Sequence, residues 1–151
     1  MEICVISDTH AVSLVDLPEK LVGKLGKVDL IIHAGDFTHK RLLDELRSLN
    51  TVKAVYGNMD PADIRQSLPE QDEFSVENTR IGLTHGAGSR QGIRERVRRM
   101  FSSPDIIIYG HSHQVEKRMY DGVLMLNPGT ARNSFATIII EKKLKIEIIQ
   151  L

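Results

Sequence analysis

The chain lacks any bias of charge: 20 Lys and Arg balance 20 Asp and Glu over 151 residues, and the sequence pI is about 7.0. A balanced chain presents no overall electrostatic footprint for nucleic acid or an anionic membrane surface. It has a single cysteine, Cys4, which excludes an internal disulfide. Set inside the first apolar run, Cys4 reads as a small buried hydrophobe in a reducing setting rather than a reactive thiol. No apolar run approaches the roughly 18 residues of a membrane span, and no basic stretch followed by an apolar core precedes the first strand-like segment. These absences point to a soluble, cytoplasmic protein with no membrane partner. Repeats, low-complexity tracts and long linkers are also missing, and 151 residues suit one domain, residues 1–151, with room for no more than a small lid.

What is present is a series of short apolar runs, at residues 3–6, 30–33, 52–56, 80–84 and 105–109, each of which reads as a buried β-strand. Lying side by side in one sheet, their C-terminal ends would gather residues far apart in sequence. Helical periodicity separates them. Leu42, Leu43, Leu46 and Leu49 share one face, with Thr38 as the expected N-cap; Ile93, Val97, Met100 and Phe101 share another, with Ser89 as cap and Pro104 just beyond the end. A weaker helix is expected over 17–25, with Pro18 at its first position. Asn78-Thr79 and Asp121-Gly122 read as hairpin turns, the second with the composition of a type I′ turn. Two final strands are expected over 135–140 and 145–149, so the fold class is α/β with antiparallel strands at the end.

The strand-like runs are followed by segments rich in metal-ligand chemistry: Asp8-Thr9-His10, Gly35-Asp36, Gly57-Asn58-Met59-Asp60, Thr84-His85-Gly86 and Gly110-His111-Ser112-His113, with Asn127-Pro128-Gly129 after them. Carboxylate and amide oxygens suit hard cations, and imidazole suits first-row transition metals. Two Asp, one Asn and four His therefore favour Mn, Fe, Ni, Zn or Co over Ca. In Asp8-x-His10 and His111-x-His113, period-2 alternation is expected to send both side chains the same way.

In their order and residue types these motifs resemble those of the calcineurin-like metallophosphoesterases, specifically the small stand-alone phosphodiesterases, over nearly the whole chain. The resemblance implies a four-layer αββα sandwich, two mixed β-sheets flanked by helices. It implies that Asp8, His10 and His113 hold one metal, that Asp36 bridges two, and that Asn58, His85 and His111 complete the second. The implied cofactors are two divalent ions, Mn2+ foremost, with Ni2+, Fe2+, Zn2+, Co2+ or Mg2+ as alternatives. The implied activity is hydrolysis of small or nucleotide-derived phosphodiesters by a metal-bridging hydroxide, with Asp36, Asn58 and His85 serving catalysis through hydroxide and phosphate positioning. The alternative is a non-catalytic protein-binding scaffold of the same fold, resembling the retromer sorting subunit. That lineage has lost several metal positions, whereas all seven are present here. The expected partner is the diester; nucleic acid is not expected, and a homodimer through strand edges is left open.

Two positions depart from the pattern. Met59 stands where many family members carry a His that protonates or orients the departing oxygen, and a thioether supplies no proton. Ala87 stands where many read Thr-His-Gly-His. Activated or labile diesters are the substrates expected from such a site. Other residues have plainer readings: His33 as a core or supporting histidine, His39 as a surface residue that could face the pocket, Asp60 as a loop organiser, and Asn127-Pro128-Gly129-Thr130 as a turn or a wall of the site. Arg90, Arg94, Arg96, Arg98 and Arg99 read as a solvated helix face before an anion site, and no aromatic residues interleave them for base stacking.

Overall fold

A computed structural model describes residues 1–151. Alternation along β1 (Glu2–Ile6) sets the layering. Ile3 and Val5 enter one apolar cluster, Cys4 and Ile6 another, and all four are fully buried. A strand covered on both faces reads as a continuous apolar run for this reason. β2 (Leu30–His33) divides the same way, with Leu30 and Ile32 on one side and Ile31 on the other. β3 (Val52–Ala54) follows α2 (Lys40–Leu49).

The first sheet has the order β10-β9-β1-β2-β3. β1, β2 and β3 are parallel, and β9 (Ser134–Ile140) and β10 (Leu144–Gln150) join as antiparallel strands. The second has the order β4-β5-β6-β8-β7. Here β5 (Thr79–Thr84), β6 (Ile106–Ile108) and β8 (Val123–Asn127) are parallel, with β4 (Gln71–Val76) and β7 (Glu116–Tyr120) antiparallel at the edges. Ile81, Leu83, Ile106 and Ile108 of the second sheet share a cluster with Ile3, Val5 and Ile32 of the first. That cluster is the seam between the sheets.

The outer faces carry helices. α1 (Glu19–Leu25) and α2 place Leu21, Leu25, Leu42, Leu43 and Leu46 on the first sheet, and α3 (Ala62–Ser67) adds Ile64 to the same cluster. α4 (Ile93–Arg99) packs Ile93 and Val97 against Ile107 and Met125 of the second sheet. At Gly82 a side chain would lie 2.8 Å from the Phe101 ring, so a glycine there lets the segment after α4 sit on the strand. Isolated helices of this length are marginal in water, and burial of the leucine face is what holds α2 in place. The result is the four-layer αββα sandwich that the resemblance implied.

The five apolar runs divide between the two sheets rather than lying side by side in one: those at 3–6, 30–33 and 52–56 belong to the first sheet, those at 80–84 and 105–109 to the second. A continuous apolar run marks a strand as doubly buried without naming the strand it pairs with. Helix starts also differ. Thr38 has φ 75°, and His39 occupies the α2 cap position; Gly92, with φ 78°, rather than Ser89, precedes α4. Pro18 precedes α1 instead of opening it. The first hairpin turns at Glu77-Asn78, one residue earlier than expected, whereas Asp121 and Gly122 have φ 47° and 77°, as a type I′ turn requires.

Candidate metal centre

The loops that follow β1 and β2 zip together first. The Asp8 amide donates to the Gly35 carbonyl at 3.0 Å and the His10 amide to the Asp36 carbonyl at 3.2 Å. Asp8, His10, Asp36, His111 and His113 all have φ between 44° and 67°. Left-handed backbone at non-glycine residues is costly and clusters at functional sites. This geometry, not strand alternation, sets the direction of the paired side chains, because β1 ends at Ile6 and β6 at Ile108, before either pair begins. That corrects the period-2 expectation.

Asp60 organises the next loop. Its Oδ2 accepts from the amides of Asp36 (3.0 Å) and Gly57 (2.8 Å), and its Oδ1 from the Thr38 amide (2.8 Å). Asp60 is therefore the loop organiser expected of it. Gly57 needs its missing side chain, since a Cβ there would sit 2.1 Å from Asp36 Oδ1. The second sheet closes the site: His85 Nδ1 lies 2.7 Å from the Ala34 carbonyl, and the His111 amide 3.3 Å from Asp8 Oδ2. Asn127 Nδ2 holds this last loop through the Gly110 carbonyl and Ser112 Oγ, both at 3.1 Å, so the Asn-Pro-Gly turn braces the segment that carries His111 and His113.

All seven residues singled out from the sequence meet here. Asp8 Oδ1 is 3.3 Å from His113 Nε2, 3.8 Å from His85 Nε2 and 3.9 Å from His10 Nε2. Asp36 Oδ2 is 3.2 Å from His85 Nε2 and 3.5 Å from His10 Nε2. Asn58 Oδ1 is 3.1 Å from both His85 Nε2 and His111 Nδ1. In Asp8, Asp36, His85 and His111 the other side-chain atoms are already occupied. Asp8 Oδ2 accepts from Ser7 Oγ, Asp36 Oδ1 accepts from the Met59 amide, and His111 Nε2 donates to the Gly88 carbonyl. The Ala34 and Gly88 carbonyls hold a proton on the far nitrogen of His85 and of His111, so the inward nitrogen of each ring is the one that can ligate an ion once it is deprotonated.

Two inward atoms are buried and have no hydrogen-bond partner at all: Asp8 Oδ1 and His10 Nε2. A buried, unpaired carboxylate oxygen is expensive unless a cation meets it. Donors bound to one ion at about 2.0–2.2 Å lie roughly 3–3.6 Å apart, close to the separations found. The carboxylate and imidazole atoms of Asp8, His10 and His113, and those of Asp8, Asp36 and His85, form two compact groups suited to a metal ion. The charges there are strongly coupled. Burial disfavours a charged His85 ring, yet the Asp36 hydrogen bond and the charges of Asp8 and Asp36 outweigh it and hold His85 above the ordinary imidazole value. Burial likewise works against ionised Asp36, but His85 and the Met59 amide keep it below the usual carboxylate range.

A model of the calcineurin-like phosphoesterase superfamily domain matches residues 1–141. The chain belongs to that superfamily. A probable metallophosphoesterase of Methanothermobacter thermautotrophicus is 37% identical over 133 residues, covering 86% of this chain and 77% of its own. Phosphodiesterase MJ0936 of Methanocaldococcus jannaschii is 31% identical over 142 residues, 85% of this chain and 83% of its own. Wild-type Vps29 from Entamoeba histolytica, solved in complex with Zn2+, superposes with a TM-score of 0.75 at 25% identity over 99% of each chain.

Several neighbouring residues resolve more simply. His33 is fully buried and stacked on Phe37 at 3.6 Å, accepts from the Gly35 amide at Nδ1 and reaches Thr9 Oγ1 through Nε2. Burial, with His85 adding to it, lowers its pKa to about 3, so it supports the phosphoesterase loops as a neutral ring. His39 is exposed, with Thr38 Oγ1 at 3.0 Å. The α4 arginines are engaged within the fold: Arg94 with Glu116, Arg96 with the carbonyls of Ala87, Ser89 and Gln91, Arg98 with those of Phe101, Ser102 and Asp121, and Arg99 with Glu95. Sequence reasoning missed Ser7, which is buried and fixes Asp8; a serine beside an aspartate carries no signal of that role.

Proposed function

We propose that the protein is a metal-dependent phosphodiesterase acting on small or nucleotide-derived diesters. The observation that carries this reading is the pair of buried, partnerless atoms, Asp8 Oδ1 and His10 Nε2, facing one another across a cluster of oxygen and nitrogen donors. Asp8, His10, Asp36 and His113 would hold one divalent ion and Asp36, Asn58, His85 and His111 the other, with Mn2+ the first choice for so mixed a donor set. Such ions, when bound, supply Lewis acidity toward phosphate oxygens and a water ionised near neutral pH. The side chains keep the donors in place: Ser7 orients Asp8, the Met59 amide orients Asp36, and the Ala34 and Gly88 carbonyls set the ring tautomers. No side-chain nucleophile is required. Met59 is exposed and offers no proton to a leaving alcohol, so the reading favours diesters with good leaving groups.

The test is hydrolysis of bis-p-nitrophenyl phosphate beside p-nitrophenyl phosphate by protein stripped and reloaded with Mn2+, Ni2+, Zn2+ or Mg2+. Metal-dependent cleavage of the diester, lost at least a hundredfold in Asn58→Ala, is the expected result, an order set by typical losses of electrostatic stabilisation. Equal turnover of alkyl and nitrophenyl diesters at saturation would remove the leaving-group argument. The Vps29 match supports a second reading, a protein-binding scaffold of this fold. Inactivity with every metal would bring that reading forward.

A further inference from the structure

Beside Asn58 and His85 the surface opens into a cleft of about 220 Å³ that the metal chemistry leaves unused. Tyr56 lines it from the segment after β3, Arg65 from α3, Glu70 from the approach to β4, and Met100 from the end of α4. The Arg65 guanidinium lies over the Tyr56 ring at 5.1 Å. Its Nε donates to the Asp60 carbonyl at 2.8 Å and its Nη2 to the Asn58 carbonyl at 3.1 Å. The guanidinium is thus held by the very loop that carries Asn58, and Nη1 is left for a ligand.

We propose that this cleft is a specificity subsite for one ester arm of the diester, a planar base-like group, with Tyr56 and Arg65 as the residues that select it. The proposal rests on the phosphodiesterase reading above. Size decides between one arm and a whole nucleotide, because ordinary small-molecule pockets begin at about 300 Å³. Chemistry decides the class of arm. A nucleobase offers a π face together with hydrogen-bond donors and acceptors: a fixed guanidinium stacks on the face and donates, the Glu70 carboxylate accepts, and the Met100 thioether and Tyr56 ring meet the apolar edge. A methyl arm engages none of these.

Two esters with the same leaving group isolate the arm: the p-nitrophenyl ester of thymidine 5′-monophosphate and methyl p-nitrophenyl phosphate, each with the Mn2+-loaded protein. The wild type should favour the nucleoside ester at least tenfold in kcat/KM. Arg65→Ala and Tyr56→Leu should each cut that preference at least fivefold, through KM, and leave the methyl ester within about twofold. A fall of both esters together would show that Arg65 only braces the Asn58 loop, and it would overturn the subsite. So would an unchanged preference. Binding is read separately from the Met100 methyl resonance of Zn2+-loaded protein titrated with thymidine 5′-monophosphate. A shift in the wild type that is absent in Tyr56→Leu supports the subsite even if no ester is cleaved, in which case only the catalytic reading fails. No shift at millimolar nucleotide, beside active cleavage of both esters, overturns the subsite and leaves catalysis standing.

Discussion

Asp8 holds its two carboxylate oxygens in opposite circumstances, one accepting from Ser7 Oγ and the other buried without a partner. Replacing Asp8 by Asn keeps an oxygen for Ser7 and removes the uncompensated charge. The melting temperature of chelated Asp8→Asn should therefore match or exceed that of the chelated wild type, while the gain on adding Mn2+ shrinks. A ten- to hundredfold weaker site loses about 1.4–2.7 kcal/mol of that gain; an undiminished gain would remove Asp8 from the ligand set. His33 yields a pH prediction. Its ring remains neutral in the fold down to about pH 3, whereas the unfolded chain takes up a proton near the ordinary imidazole value of 6.5. Between those values the unfolded state binds more protons, so its contribution to stability is full above about pH 6.5 and falls as pH drops toward 3, by at most about 1.4 kcal/mol per unit. Urea midpoints of the metal-free protein at pH 7 and pH 5 should differ less in His33→Asn than in the wild type, and an equal difference would place the acid sensitivity elsewhere.

Among the elements, the turns separate conformational cost from steric cost. A Cβ at Gly122 meets nothing within 4 Å, yet φ is 77°, so Gly122→Ala should lower stability by about 1 kcal/mol without touching metal-dependent cleavage. At Gly57 the clash is with Asp36 itself, and Gly57→Ala should reduce cleavage at least tenfold, on the scale of misplaced supporting groups, while far-UV circular dichroism is retained. Normal cleavage by Gly57→Ala would mean that Asp36 can move at no cost. The strands and long helices were legible because apolar periodicity reports burial directly. α3 was not, since Ile64 is its one buried residue and a single apolar position has no period. The caps misled because Thr38 and Ser89 are common cap types, while the positions that matter are set by left-handed backbone at Thr38 and Gly92, which composition alone does not reveal. The meeting of the seven donors was legible from their place after apolar runs; the supporting carbonyls of Ala34 and Gly88 carry no side-chain signature.

Across the whole molecule, Asp8, Asp36 and Asn58 follow strands of the first sheet, and His85, His111 and His113 follow strands of the second. On the proposed reading, a metal cluster between them would tie the two sheets at one end of the sandwich. Metal loading should then slow amide exchange on both sides of the seam, in residues 34–38 as well as 85–88 and 110–113, because opening either sheet first requires releasing the ions. Protection confined to one sheet would show that the donors do not act as one cluster. Cys4 lies in the middle strand of the first sheet, wholly enclosed, with burial pushing its thiol up to about 12. An alkylating reagent can reach that sulfur only when the central strand comes free. With reagent in enough excess to outpace reclosing, the rate of thiol modification in native buffer therefore counts openings of that strand, and the chain carries a built-in clock of its own opening.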